Sequence, residues 1–342
     1  VGAPSAHPLY HKRFIPELFK LSKQENCDYI LVVGDIFDKA KPDQQVKDFL
    51  VRQLLDYRGR AKIIFVPGNH DYTTKSLEYH NLTYLTFLRE VNTKVNIFVV
   101  EPGELRMFNK FNLYVMDAWG DVDLPAKENK GDKPLVLAWH GVLPGLQFTD
   151  IEFVPKSLKE SIKSILNMTR AQYIALGDIH RPIKIHKRCW YPGPPMQKTY
   201  ADIDNVLIVE ISKKNFSVDT RNLPFPKKIT LDIKFEEGVD NEDTLIAYIK
   251  KNAPAKSLLR IRFELPLTVW GSINKPYIKK ELSKRFSEIV LENDPIVDVR
   301  TRKAVEKISK AKSILEELDI ALKSEPVGLN VNKLRKVCKR YI

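Results

Sequence analysis

With 342 residues, 43% of them hydrophobic and 29% charged, the chain is long enough for a sizeable core and for more than one domain. No apolar run approaches the ~20 residues a membrane-spanning helix needs, and nothing resembles a secretory leader. A net charge of +13 favours a polyanionic partner, either nucleic acid or an acidic membrane surface, without choosing between them.

Residues 10–26 place Phe14, Ile15, Leu18, Phe19 and Leu21 at helical spacing. Tyr29-Ile30-Leu31-Val32-Val33 then reads as a fully buried strand closing on Gly34-Asp35. A second amphipathic helix carries Val46, Phe49, Leu50 and Leu54, and it leads to the apolar run Ile63-Ile64-Phe65-Val66, which ends in Pro67-Gly68-Asn69-His70-Asp71. Short strand-like runs follow at 95–100, 112–117 and 134–139, the last ending in Trp139-His140-Gly141. A helix is expected over 156–167. The strand Tyr173-Ile174-Ala175-Leu176 ends in Gly177-Asp178-Ile179-His180, and residues 205–211 look like the last strand of this part. Helices alternating with short apolar strands predict an α/β layered domain whose sheet is covered on both faces.

The pattern changes after Leu223-Pro224-Phe225-Pro226. Strands are expected at 229–235, 258–265 and 296–299, and helices at 241–251 and 277–291, which together predict a small α+β domain. From residue 302 a helical pattern takes over, with Val305, Ile308, Leu315, Leu318 and Leu322 on one face, and residues 302–342 hold 11 Lys and Arg against 5 Asp and Glu. The expected organisation is therefore three-part: 1–222, 223–300 and 301–342. Cys27, Cys189 and Cys338 lie far apart with no CxxC pair, which speaks against a zinc ribbon or a disulfide framework and for a reducing, cytoplasmic setting.

In layered α/β sheets, ligands gather at the carboxyl ends of strands. Four such ends here carry Asp35, Asn69-His70, His140 and Asp178-x-His180. Gly68-Asn69-His70-Asp71 alone is also an ordinary turn, but the convergence is not ordinary. Two divalent ions a few ångströms apart can clamp a phosphodiester, provided a carboxylate bridges them. Asp35 is the natural bridge, Asn69 can offer its amide oxygen, His140 and His180 their imidazoles, and Asp178 a second carboxylate. This mixed oxygen and nitrogen set suits manganese, iron or zinc better than calcium. His70 is better placed to protonate a departing group than to hold metal, and Asp71 to support the loop than to ligate. His7, His11, His80 and His186 read as surface or satisfied histidines, and Trp119 and Trp139 as core.

At these residues the sequence resembles the calcineurin-like metallophosphoesterases, and among them most closely the SbcD-type DNA nucleases, counterparts of the meiotic-recombination nuclease. The resemblance rests on "DYILVVGDIFD" (28–38), "VPGNHD" (66–71), "WHG" (139–141), "YIALGDIHRP" (173–182) and "YPGPP" (191–195). It implies a layered sheet sandwich flanked by helices, with a smaller α+β DNA-capping domain and C-terminal partner-binding helices. It also implies two divalent ions, manganese first, with Asp35 bridging, Asn69, His140 and Asp178 on one ion, His180 on the other, and His70 assisting the departing oxygen. The implied partners are DNA, an SbcC-type coiled-coil ATPase docking on the basic tail, and a second copy of the chain, with no membrane.

Three departures qualify the resemblance. Asp178 stands where the family usually has histidine, which makes the site more anionic and harder. Pro194 replaces a serine that could meet a phosphate. The family's first motif, Asp-x-His, is absent, and Val1-Gly2 looks like its remnant, so one ion is expected to bind well and the second poorly. Rival expectations are a metallophosphoesterase acting on nucleotides or phosphoproteins, and a weakened DNA-binding scaffold.

Overall fold

A computed structural model describes residues 8–37, 39–72, 80–91, 96–117, 133–146, 154–212, 215–234, 242–265 and 267–294. The chain divides into two compact units, Val1–Phe225 and Pro226–Ile342.

The first unit opens with helix α1 (Pro8–Gln24), strand β1 (Tyr29–Val33), α2 (Gln44–Asp56), β2 (Lys62–Val66), a 3-10 turn over Asn69–Asp71, α3 (Thr83–Val91) and β3 (Ile97–Val99). The three strands form one parallel sheet in the order β1-β2-β3. A second sheet follows from β4 (Leu105–Met107), β5 (Asn112–Val115), β6 (Leu135–His140), β7 (Tyr173–Gly177), β8 (Ile183–His186) and β9 (Cys189–Tyr191), with helix α4 (Lys156–Thr169) between β6 and β7. Its order is β4-β5-β6-β7-β9-β8. The inner four strands run parallel, and β4 and β8 are antiparallel edges.

Side chains alternate from face to face along each strand, and the alternation explains the near-continuous apolar runs. On β2, Ile63 and Phe65 pack with Phe19, Leu50, Leu54 and Leu85 of the helices, whereas Ile64 and Val66 turn the other way. On β6, Leu135 and Leu137 meet Leu158, Ile162 and Leu166 of α4, while Val136 and Ala138 join Ile64 and Val66. Each sheet thus has helices on one face and the other sheet on its second face, the two-sided cover expected from the sequence. Fully burying one such Leu or Ile contributes about 1.5–3 kcal/mol, so this double layer holds the strand ends rigidly.

Residues 205–211 are not the last strand of this unit. β10 (Val206–Ile211) turns back into β11 (Phe216–Arg221), an antiparallel ribbon. Val218 of that ribbon joins the core between the sheets, while Ser217 and Asp219 face outward, a two-residue alternation too short and polar to stand out in the sequence.

The second unit contains β12 (Lys228–Lys234), α5 (Glu242–Asn252), β13 (Leu258–Glu264), α6 (Leu267–Ser272), α7 (Lys275–Ser283) and β14 (Glu288–Asn293). All three strands are parallel, in the order β12-β13-β14. The helix expected over 277–291 stops at Ser283, and its last residues form β14 instead. Ile278, Leu282 and Ile289 mimic a helical stripe, but Phe286 closes the helix by donating to the Leu282 carbonyl, and Ile289 reaches the same core from a strand. The strand expected at 296–299 and the helices beyond residue 301 lie outside the described residues.

Candidate metal centre

Strands β1, β2, β6 and β7 all end at one edge of the first unit, and each ends in a turn that departs from regular structure at once. Gly34 takes φ +78° and Asp35 φ +49°; Asp178 takes φ +97°. A positive φ in a non-glycine residue costs on the order of 1–3 kcal/mol and gathers at functional sites. Here it turns both carboxylates toward the His140 ring.

Glycines make that approach possible. A Cβ on Gly34 would fall inside the His140 ring, one on Gly68 would collide with the Asp35 backbone nitrogen and carboxylate, and one on Gly177 would collide with the Val33 carbonyl. Only Gly34 among these three is needed for its φ. The other two are needed because the neighbouring strand end occupies the space.

His140 is the centre of the cluster. Its side chain is only 4% exposed. Nδ1 lies 2.9 Å from the Val33 carbonyl, an acceptor only, so Nδ1 carries the proton. Nε2 then faces three oxygens: Asn69 Oδ1 at 3.0 Å, Asp35 Oδ1 at 3.2 Å and Asp178 Oδ1 at 3.8 Å. Burial works to depress the His140 pKa, but the Asp35 carboxylate outweighs it with help from the Val33 carbonyl and Asp178, and the net shift is upward. Asp35 moves the opposite way: burial would raise its pKa, and His140 together with the His70 backbone N–H lowers it. The ligand atoms of Asp35, His140 and Asp178 all lie within 4.8 Å of one another. Two carboxylates, an amide oxygen and an imidazole converging from four strand ends fit a divalent cation of the manganese, iron or zinc kind.

The flanking residues have distinct places. The His70 backbone N–H donates to Asp35 Oδ1 at 3.0 Å, and its imidazole is exposed at the mouth of the site. Asp71 is fully buried. It accepts hydrogen bonds from the backbone N–H groups of Gly68 (2.9 Å), Phe37 (3.1 Å) and Ile36 (3.2 Å), so it ties the turn after β2 to the turn after β1. Burial pushes its pKa up against the pull of those donors. The buried Tyr191 hydroxyl donates to the Gly141 carbonyl at 2.7 Å and accepts from the Leu143 N–H at 3.0 Å, pinning the loop that follows His140.

His180 stands apart. Its side chain is 52% exposed and is not among the three clustered ligands. It shares with Asp35, His70, His140 and Asp178 the wall of a cavity of about 830 Å³. Its Nδ1 meets Asp202 Oδ1 at 3.3 Å, and this contact raises its pKa. Asp202 carries no strand-end mark in the sequence. Burial works to raise its pKa, but hydrogen bonds from His180 and Thr199 prevail and hold it at about 2. The only local signal for it was a carboxylate three residues after a threonine, an ordinary turn pattern.

The remaining histidines and tryptophans have structural settings. His80 bonds Glu101 at 2.7 Å and His186 accepts the Arg188 N–H at 3.2 Å. Trp139 packs on the outer core. His7 and Trp119 lie outside the described residues, as does the side chain of His11. In the YPGPP loop, Gly193 takes φ +77° and the Pro194 carbonyl accepts the Asn205 N–H at 2.8 Å. No described helix is long and apolar enough to cross a membrane.

A family model described as calcineurin-like phosphoesterase matches residues 10–182, about half of the chain and the whole run from Asp35 to His180. The chain is also 27% identical over 192 residues to the DNA double-strand break repair protein Mre11 of Archaeoglobus fulgidus. That match covers 50% of this chain and 41% of the relative, so the chain spans less than half of that protein's length. Hydrolysis of phosphoester bonds with divalent metal ions is the chemistry of the matched family, and the converging residues that could hold a metal lie inside the matched stretch. The chain belongs to the calcineurin-like phosphoesterase family.

Proposed function

We propose that this chain is a metal-dependent DNA nuclease, hydrolysing phosphodiester bonds as the nuclease subunit of a repair or recombination complex. The observation that carries the reading is the convergence of Asp35, Asn69, His140 and Asp178 from four strand ends on one point. DNA as substrate is supported by the net charge of +13 and by the similarity to an archaeal double-strand break repair protein.

In this reading Asp35, Asn69, His140 and Asp178 would hold one divalent ion, and Asp35 and His180 would hold a second, manganese being the best fit to the donor set. When bound, such ions clamp the phosphate, activate a water and neutralise developing charge. The Val33 carbonyl keeps the proton of His140 on Nδ1, so that Nε2 is presented to the site. Asp71 holds the two turns in register, which fixes the distance from Asp35 to Asn69. His70, tethered through its backbone to Asp35, is the group that protonates the departing oxygen. Residues 223–300 would cap DNA, and 301–342 would dock on a coiled-coil ATPase of the SbcC type. The assembly would be dimeric and cytoplasmic.

The test is cleavage of an end-labelled DNA duplex with manganese, with EDTA, and with His70→Ala. Manganese-dependent cleavage lost in the variant is expected. Turnover of nucleotides or a phosphoprotein in place of DNA would identify a different phosphoesterase, and DNA binding without any cleavage would identify a scaffold.

A further inference from the structure

We propose that Asp202 is a positioning residue that sets the tautomer of His180 and so presents its Nε2 as a metal ligand. The proposal rests on the metal-site reading above. His180 leaves β7 on an exposed turn, with none of the sheet packing that fixes His140. What holds it is the segment 197–203, and it does so at two points. The Ile203 N–H donates to the His180 carbonyl at 3.0 Å, and Asp202 Oδ1 lies 3.3 Å from His180 Nδ1.

Asp202 is built for this contact. Its side chain is 4% exposed although it lies beside a half-exposed histidine. Oδ2 accepts the backbone N–H groups of Lys198 (2.7 Å) and Thr199 (2.8 Å), and Oδ1 accepts the Thr199 hydroxyl at 2.7 Å. Its backbone carbonyl accepts the Gln197 amide at 2.7 Å. An ionised carboxylate only accepts hydrogen bonds, so the His180 nitrogen facing it must carry the proton. Nε2, across the ring, then keeps its lone pair. This is the carboxylate–histidine arrangement that orients metal-ligating imidazoles. His140 reaches the same tautomer by a different route, through the Val33 carbonyl.

Replacing Asp202 with asparagine separates this role from simple turn capping. The amide oxygen can still accept the Lys198 and Thr199 N–H groups, so the turn survives. The amide NH₂ then faces His180 Nδ1 as a donor, which demands the opposite tautomer, with the proton on Nε2. Asp202→Ala removes both functions.

The experiment records long-range ¹H–¹⁵N correlations of the histidine rings in the metal-free chain, and manganese binding by calorimetry, for wild type, Asp202→Asn and His180→Ala. The expected wild-type His180 is the Nδ1–H tautomer. Asp202→Asn is expected to switch it to Nε2–H and to weaken one class of manganese site by about 10–100-fold, with no further loss when combined with His180→Ala. A wild-type His180 with its proton on Nε2 overturns the proposal, whether or not the variant folds. Manganese binding that is unchanged in Asp202→Asn overturns it while the metal reading stands. A wild-type chain that takes up no manganese overturns the metal reading and, with it, the ligand half of this proposal.

Discussion

Two sides of the candidate centre are made in opposite ways. Asp35, Asn69, His140 and Asp178 sit where two packed sheets meet, in close mutual contact. His180 sits on an exposed turn and depends on one buried carboxylate 22 residues away. The first side draws its geometry from the core, and the second from a local hydrogen-bonded loop. Preorganisation therefore need not be uniform across one site. A ligand set anchored by sheet packing should survive changes in surrounding loops, whereas one anchored by a turn should be separable from the fold.

The largest effect is expected from Asp35→Ala, which removes the oxygen facing His140 and the acceptor for the His70 N–H. If this residue serves both sides as proposed, manganese binding should be lost at both, and DNA hydrolysis should fall by more than the ~100-fold typical of residues that only orient a ligand. Calorimetry and gel-based cleavage check this together. Retained tight binding would mean that the two sides do not share Asp35.

Asp71→Ala tests the anchored side through the fold itself. Three backbone N–H groups would lose their acceptor in a fully buried setting. Each unpaired buried donor costs roughly 1–3 kcal/mol, so urea unfolding should report a loss of about 3 kcal/mol or more. A change near zero would show that the turns after β1 and β2 hold without it.

His180→Ala sharpens the contrast from the other side. The ring is half exposed but also hydrogen-bonds the buried Asp202 carboxylate, so unfolding stability should fall by about 1 kcal/mol, while the weaker of the two manganese sites disappears and the stronger one remains. Loss of both ions would contradict the separateness of the two sides.

The smallest effect is expected from Asp178→His, which installs the residue that the SbcD-type resemblance implies. The cluster keeps its ligand count but loses an anion, so its preference should move from manganese toward zinc or cobalt. Cleavage with manganese should stay within about tenfold of wild type, well under the effect of losing a ligand. The check is the ratio of cleavage rates across the three metals.

Much of the anchored side was legible in the sequence because Asp35, Asn69 and Asp178 each travel with a local mark, an apolar strand followed by glycine and a polar group, and His140 itself ends an apolar strand. Tyr29–Val33 and Tyr173–Gly177 are strands as the runs suggest. What escaped depended on partners distant in sequence. Asp202 reads as a turn residue until His180 is placed beside it. The three donors to Asp71 include two from a loop some 35 residues earlier. Short edge strands such as Leu105–Met107 carry too few residues for a period to show, and the break after Ser283 hides because Ile278, Leu282 and Ile289 keep helical spacing across a change of structure.

Gly34, Gly68 and Gly177 lock together in a closed relation. The first makes room for a side chain of β6, the second for the turn after β1, and the third for the end of β1. Gly34 and Gly177 act as spacers between the two sheets, and Gly68 as a spacer between neighbouring strand ends of one sheet. The glycines before Asp35 and Asp178 therefore record how near the two sheets come, a long-range dimension written in short-range motifs. One consequence concerns transplantation: moving any single glycine-ligand pair to another scaffold would carry the donor atom but not the clearance it needs. The three pairs, with the His140 ring that Gly34 and Gly177 accommodate, form the smallest portable unit of this centre.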